Sequence, residues 1–372
     1  MNILWRFPAP FTPFGYGVVT REMVPFLIND GHKVVVSTHQ YIGPPMKYGN
    51  MTVISDINGA VSRTIMEEEG GYYFHIVNYK VENEFPPEKY WVACAGLDFE
   101  FADEGFANRL KRSVAQFTTS KHGQNELKRL GYNATYAPWG INMELFHPSP
   151  TARGAFRTKL GVDEDTFVIG TVGANSDDDR KNYINLIKAF QIFSQRHLDS
   201  VLYLHTSLSN NNLGNLIRFS GLSDRIKFPD QKELHLYNIP YESMVETYNG
   251  FDVFIMPSKG EAYCMPLVEA QSCGIPAIVT ETTALKENCI EGWQIPVTED
   301  DLEPSPWGPW WYKVRPTAIV EQMELAYKKW ENDKFLRLKK DVRKGILHLE
   351  INQVFNNYWV PFLKELEEKC PK

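Results

Sequence analysis

Apolar residues run through this chain in short β-branched blocks separated by stretches with helical spacing. "NILWRF" (2–7) is one such block, followed by a Pro- and Gly-rich stretch, "PAPFTPFGYG" (8–17). Residues 18–30 then place Val19, Met23, Phe26 and Leu27 on one helical face and stop at Asp30-Gly31. "HKVVVSTH" (32–39) is a β-branched run suited to a buried parallel strand. This strand–helix–strand unit predicts the start of a doubly wound sheet. The alternation continues with strands over 72–77, 90–97 and 115–120, a helix beginning at 106, and a helix over 121–131 that ends at Gly131. Residues 134–148 read as loop.

A second series follows residue 150. Strands are predicted over 167–174, 201–206, 226–229, 252–258 and 276–280, with helices over 182–197, 212–221, 241–250 and 266–274. Two series predict two similar α/β domains facing a cleft. The expected boundaries are 1–148 and 149–347, with a last helix in 348–372 packing back on the first domain.

The 372 residues suit two domains rather than one. A formal charge of −7 argues against a nucleic-acid binder as a whole. The basic stretch 109–129 is a candidate for anionic lipid headgroups or a polyanionic acceptor, and equally reads as two solvated helix faces. Five scattered cysteines without metal-ligand spacing indicate a reducing compartment. No signal-peptide pattern opens the chain, and no apolar run nears the roughly 20 residues that span a bilayer. The expected location is the cytoplasm, with a peripheral position at a membrane's inner face as the variant that the basic stretch suggests.

The most informative segment is "KGEAYCMPLVEAQSCGIPAIVT" (259–280). A buried strand, 252–258, would open at its C-terminal end onto the binding edge of a parallel sheet. Pro266 suits the first turn of a helix, where a missing N–H costs nothing. The N-terminus of that helix is a ready anion site. Glu261 precedes the helix and Glu269 lies about one turn in. Carboxylates accept hydrogen bonds from hydroxyls, and a sugar nucleotide carries hydroxyls on both sides of its diphosphate. Glu261 thus suits a donor sugar and Glu269 a ribose. Taken alone, two glutamates at this spacing would be a helix-dipole residue and a solvated side chain; the strand, the loop and the Pro-led helix together favour a site.

These residues resemble the signature of the family-4 retaining glycosyltransferases, which have the GT-B fold of two Rossmann-like domains. "REMVPFLINDGHKVVV", "FTTSKHGQNELKRLGYNATYAPWGINMELFHP" and "VGANSDDDRKNYINLIKAF" resemble further family segments in the same order. The resemblance implies a nucleotide-diphosphate-sugar donor, no metal and no other cofactor, and an acceptor hydroxyl on a glycan, a lipid-linked glycan, a protein or another molecule. It also implies a basic pair in loop 173–182 that neutralises the leaving diphosphate. Lys181 matches the lysine. The arginine usual after Gly173 is replaced by Ala174, and Arg180 is the candidate to supply its charge. Glu269 would share donor binding with Gly15, Gly17, Gly173, Tyr263, Cys264, Met265, Pro266 and Leu267. Ala262, Tyr263 and Cys264 stand where a Gly-Phe-Gly run is usual, which implies an unusual donor preference. Cys264 reads as a packed thiol rather than a nucleophile.

Other residues keep two readings. Gly15 and Gly17 line the site by resemblance, or form a plain turn; without a third glycine they are no dinucleotide fingerprint. His75, read as following a strand, is a catalytic candidate near the acceptor or a structural histidine. His205 reads as a strand-end histidine with a satisfied hydrogen bond. Trp139 and Asn142 are structural or donor-facing. The aspartates 177–179 read as solvated rather than metal-binding. An epimerase or phosphorylase on the same fold, and a non-catalytic nucleotide-sugar binder, are the competing activities.

Overall fold

The structure is a computed structural model that describes residues 1–13, 15–55, 73–78, 91–111, 113–176, 178–237, 239–306 and 309–370. The chain forms two compact units. Unit one comprises 1–97, 101–140 and 349–372; unit two comprises 98–100 and 141–348.

Unit one is built on one sheet. Its strands are β1 (Asn2–Arg6), β2 (Lys33–Thr38), β3 (Met46–Tyr48), β4 (Met51–Ser55), β5 (Tyr73–Asn78), β6 (Trp91–Cys94), β7 (Ala115–Thr118) and β8 (Thr135–Tyr136). The order is β3-β4-β2-β1-β5-β6-β7-β8, parallel throughout except for the β3–β4 hairpin. That hairpin was not predicted. Its signal is the β-branched run Thr52-Val53-Ile54 after a turn at Gly49, whose φ of 57° only a glycine adopts freely. In β2, Val34, Val35 and Val36 are all buried, which is why this run is continuously apolar.

The first helix spans Gly15–Asn29, three residues longer at its start than the pattern predicts. Gly15 and Gly17 thus lie in its first turn rather than in a loop. Gly17 rests against the preceding chain: a Cβ there would stand 2.0 Å from Thr12 Oγ1 and 2.8 Å from Ala9 O. The C-terminal segment is helical in pieces, Ile351–Val354 and Val360–Lys369, joined by a π-turn over Phe355–Trp359. Trp359 donates from Nε1 to Pro138 O (3.0 Å) and stacks on Trp139 with ring centroids 5.3 Å apart. Trp139 is therefore a core residue of unit one.

Unit two carries β9 (Phe167–Val172), β10 (Ser200–His205), β11 (Ile226–Lys227), β12 (Val253–Met256), β13 (Ala277–Thr280) and β14 (Gly292–Ile295) in the order β11-β10-β9-β12-β13-β14, all parallel. Helices Tyr183–Phe193 and Pro316–Asp333 bury Leu186, Ile187, Phe190, Met323 and Trp330 in one core with Phe167, Ile169 and Leu202 of the sheet. The expected boundary at 148 differs from the division observed. Residues 141–148 belong to unit two because Asn249 holds His147 O and Ser149 N, and Arg343 holds Phe146 O. Residues 98–100 belong there because Trp311 Nε1 donates to Asp98 O and Glu100 pairs with Trp310.

Candidate functional site

Strands β9 and β12 are parallel neighbours, and strand order reverses between them: β10 flanks β9, and β13 flanks β12. Such a reversal leaves a crevice beyond the carboxyl ends of the two strands, because their following segments leave to opposite faces. The loop after β9 begins at Gly173 and carries Arg180 and Lys181. The loop after β12 carries Glu261. Topology alone brings these two loops to one edge.

The side chains meet there. Lys181 Nζ donates to Glu261 Oε1 at 2.5 Å, and Arg180 Nη1 stands 2.8 Å from the same oxygen. Among the described residues no hydrogen bond reaches Glu261 Oε2. Arg180 Nη1 also donates to Gly260 O (2.7 Å), and its Nε lies 3.5 Å from Asp98 Oδ2. Glu261 is 5% exposed and Lys181 8%. Burial pushes the Glu261 carboxyl up, but Arg180 and Lys181 outweigh it and hold the group at about 2. Burial disfavours the Arg180 cation, and the Glu261 and Asp98 carboxylates more than restore it, so its pKa is raised.

The backbone on either side is fixed. Ser258 Oγ and Lys259 N both donate to Arg180 O, tying the two loops together. Thr283 Oγ1 accepts from Glu261 N (2.9 Å), and Ala284 N donates to Glu261 O. Gly173 is closely packed: a Cβ there would stand 3.2 Å from Tyr183 Oη and 3.3 Å from Lys181 Cε. Its carbonyl accepts from Tyr183 and Thr206 hydroxyls. Asp178 accepts from Ser176 Oγ and Arg180 N, and so shapes its own loop. Among the described residues no cluster of His, Cys, Asp and Glu has metal-binding geometry.

The helix after Glu261 runs Met265–Ser272 with Pro266 in its first turn. Its leading residue, Cys264, has φ 72°, the left-handed region that favours glycine. This is one of the places where the family resemblance expects glycine. Burial raises the Cys264 thiol to about 12, consistent with a packed, unreactive group. The anion-binding expectation for this helix needs a correction. Pro266 has no N–H and Leu267 N donates to Cys264 O, so the first turn presents fewer free donors than a helix start ordinarily does. Tyr263 is buried, and its carbonyl accepts from Asn288 Nδ2.

Glu269 is 3% exposed and faces two phenols. Tyr241 Oη donates to Oε1 at 2.8 Å and the buried Tyr248 Oη to Oε2 at 2.5 Å. Burial raises the Tyr248 pKa, and the neighbouring Glu269 carboxylate raises it further. The two glutamates thus differ in kind: Glu261 is held by cations, Glu269 by neutral hydroxyls.

The remaining candidates lie elsewhere. His75 is the third residue of β5, in register with Leu4 and Trp91, rather than after a strand; its side chain is outside the described residues. His205 ends β10, with Nδ1 3.4 Å from Tyr203 Oη, and burial pushes its pKa down to about 4. Asn142 Oδ1 accepts from Leu145 N and so shapes the chain locally. In the basic stretch, Lys121 lies over the Tyr136 ring and Arg129 pairs with Glu126, so part of its charge is used locally. Of the 177–179 run, Asp177 lies outside the described residues. Asp98, Tyr241, Tyr248 and Thr283 were not foreseen.

Residues 152–293 match the family profile described as glycosyl transferases group 1. The chain carries a group 1 glycosyltransferase domain. That domain lies wholly in unit two and contains Lys181, Arg180, Glu261 and Glu269. The chain is similar to the D-inositol 3-phosphate glycosyltransferase of Paenarthrobacter aurescens, 27% identical over 176 residues, which are 46% of this chain and 40% of that one. The match therefore spans about two fifths of the curated relative's length. Sucrose-phosphate synthase from Thermosynechococcus elongatus superposes with a TM-score of 0.74 at 16% identity, covering 100% of both chains. Anabaena Alr3699/HepE in complex with UDP and glucose gives 0.72 at 14%, covering 98% of this chain and 100% of that one. The fold is GT-B, as the resemblance of the motifs implies. Among the described residues, no helix is long and apolar enough to cross a membrane.

Proposed function

We propose that this protein is a retaining, metal-independent glycosyltransferase that moves a sugar from a nucleotide-diphosphate sugar to an acceptor hydroxyl. One observation carries the reading: a buried carboxylate, Glu261, holds two cations on a single oxygen at the switch point of the group 1 domain. Lys181 and Arg180 are fixed positive charges, the need of a departing diphosphate. Glu261 Oε2 is left to accept from a hydroxyl of the donor sugar. Glu269, set by Tyr241 and Tyr248, takes the ribose. Two cations at the leaving group do the work a metal does in other enzymes, which supports metal independence. The complex of Alr3699/HepE with UDP and glucose supports a sugar nucleotide as donor class. On this reading the acceptor binds unit one, where the basic stretch 109–129 suits an anionic one.

A thermal-shift screen of UDP-, GDP- and ADP-sugars selects the donor. Transfer is then followed by nucleotide release in the presence and absence of candidate acceptors, with EDTA. Consumption only with acceptor supports transfer. Conversion of donor alone, or binding without consumption by the parent and by Glu261→Gln alike, sinks the proposal.

A further inference from the structure

Arg180 has two carboxylate neighbours that hold it in different ways. Its Nη1 is fixed at hydrogen-bond distance by Gly260 O (2.7 Å) and Glu261 Oε1 (2.8 Å). Asp98 meets the guanidinium at Nε, at 3.5 Å, a charge contact too long for a good hydrogen bond. The orientation of Arg180 is therefore set by Gly260 and Glu261, and what Asp98 adds is negative charge. That charge is rigidly placed. Asp98 is 3% exposed, its carbonyl accepts from Trp311 Nε1 at 2.9 Å, and a Cβ on Gly260 would stand 2.1 Å from that carbonyl oxygen. Lys181 and Arg180 are thus met by the carboxylates of Glu261 and Asp98, with Asp178 also acting on Arg180 from its own loop.

A fixed carboxylate beside the pair has a consequence for turnover. Two uncompensated buried cations would retain a nucleoside diphosphate after the sugar has left, and release of product limits many enzymes. A fixed anion beside the pair repels the diphosphate in a medium of low dielectric. We propose that Asp98 is a charge-balancing residue that weakens the hold of Lys181 and Arg180 on the departing nucleoside diphosphate. The inference rests on the reading that this pair faces the diphosphate. An orienting role would give the opposite sign, because a misplaced Arg180 binds an anion less well.

The test is calorimetric titration of the full chain with UDP, GDP and ADP. Asp98→Asn should bind the preferred nucleotide on the order of tenfold more tightly than the parent, and Asp98→Glu, which keeps the charge, should bind as the parent does. Where asparagine lowers the melting temperature at this buried position, Asp98→Ser carries the same comparison. Unchanged or weaker binding in the neutral variants overturns the inference, as does tighter binding in Asp98→Glu. A parent that binds none of the three nucleotides overturns the functional reading as well. A parent that binds one, is weakened by Lys181→Ala and is not tightened by Asp98→Asn overturns this inference alone.

Discussion

Lys181 Nζ and Glu261 Oε1 stand 2.5 Å apart across eighty residues of sequence. Arg180 joins the same oxygen, so three side chains from two loops form one buried charge cluster. Removing the carboxylate leaves two cations facing each other in poor solvation, which ordinarily costs about 3–5 kcal/mol. The cost should depend on pH. In the unfolded chain Glu261 takes up a proton near 4.5, and in the folded chain only near 2. The unfolded state therefore binds the proton first. The stability that Glu261 contributes is fully present above the unfolded value and is lost as pH falls from there towards 2. Urea unfolding of the parent and Glu261→Gln should show their stability gap shrinking by about 1 kcal/mol between pH 7 and pH 3.5. A gap that does not change with pH refutes the pairing.

Lys181→Ala separates binding from folding. Glu261 keeps Arg180 as a partner in this variant, so the charge cluster is reduced rather than orphaned. Loss of a fixed cation at a leaving diphosphate should lower turnover by about 10²–10³-fold and weaken nucleotide binding. Steady-state transfer and calorimetry measure the two. Transfer equal to the parent's would remove Lys181 from the site.

Tyr248→Phe probes the second glutamate. The Tyr248 hydroxyl is buried and donates to Glu269 Oε2. A hydrogen bond to a charged group is worth about 1.5–3 kcal/mol, and at this buried contact water does not readily replace the lost donor. Tyr241→Phe should cost less, because its contact is only partly buried and water can take the place of the hydroxyl. Equal losses in the two variants, read by urea unfolding, would contradict this.

The elements were legible where local pattern decides them. The continuously apolar strand 252–258 and the Pro-led helix after it put Glu261 at a strand's carboxyl end, and β12 and the Met265–Ser272 helix stand there. Lys181 was legible only through the family resemblance, as the match to its lysine. Asp98 was not, because it lies in a loop after β6 and nothing near it in sequence marks its contact with Arg180. Tyr241 and Tyr248 read as ordinary positions of a helix; their role appears only when that helix is set beside the Met265–Ser272 helix. The start of the first helix was misjudged because Gly15 and Gly17 read as loop formers, although Gly17 is there to let the helix lie against Thr12 and Ala9.

The two glycines therefore make opposite predictions. Around Gly15 nothing lies within 4 Å of an added Cβ, so Gly15→Ala should be neutral or stabilise by up to about 1 kcal/mol through a less flexible unfolded chain. At Gly17 a Cβ would lie 2.6 Å from Thr12 O and 2.8 Å from Ala9 O, both backbone atoms that cannot swing away. Gly17→Ala should destabilise by about 1–3 kcal/mol. Thermal unfolding of both variants checks the contrast; equal melting temperatures would refute it.

Asp252→Asn tests how unit two is stabilised away from the site. Asp252 Oδ2 lies 3.2 Å from Arg157 Nη1 and accepts from Val168 N at 2.9 Å, while Oδ1 accepts from Arg153 Nη2 at 3.0 Å. Asp252 and Arg157 are 1% and 2% exposed. Asparagine keeps the shape but leaves the buried Arg157 cation only the more distant Glu164 carboxylate, 3.9 Å from its Nε, and turns an amide N–H towards one of the groups that Asp252 accepts from. The expected loss is about 3–5 kcal/mol. Nucleotide affinity in the folded fraction should be unchanged, because Asp252 precedes β12 at the end opposite the Glu261 loop. Loss of affinity without loss of stability would show that this pair reaches the site after all.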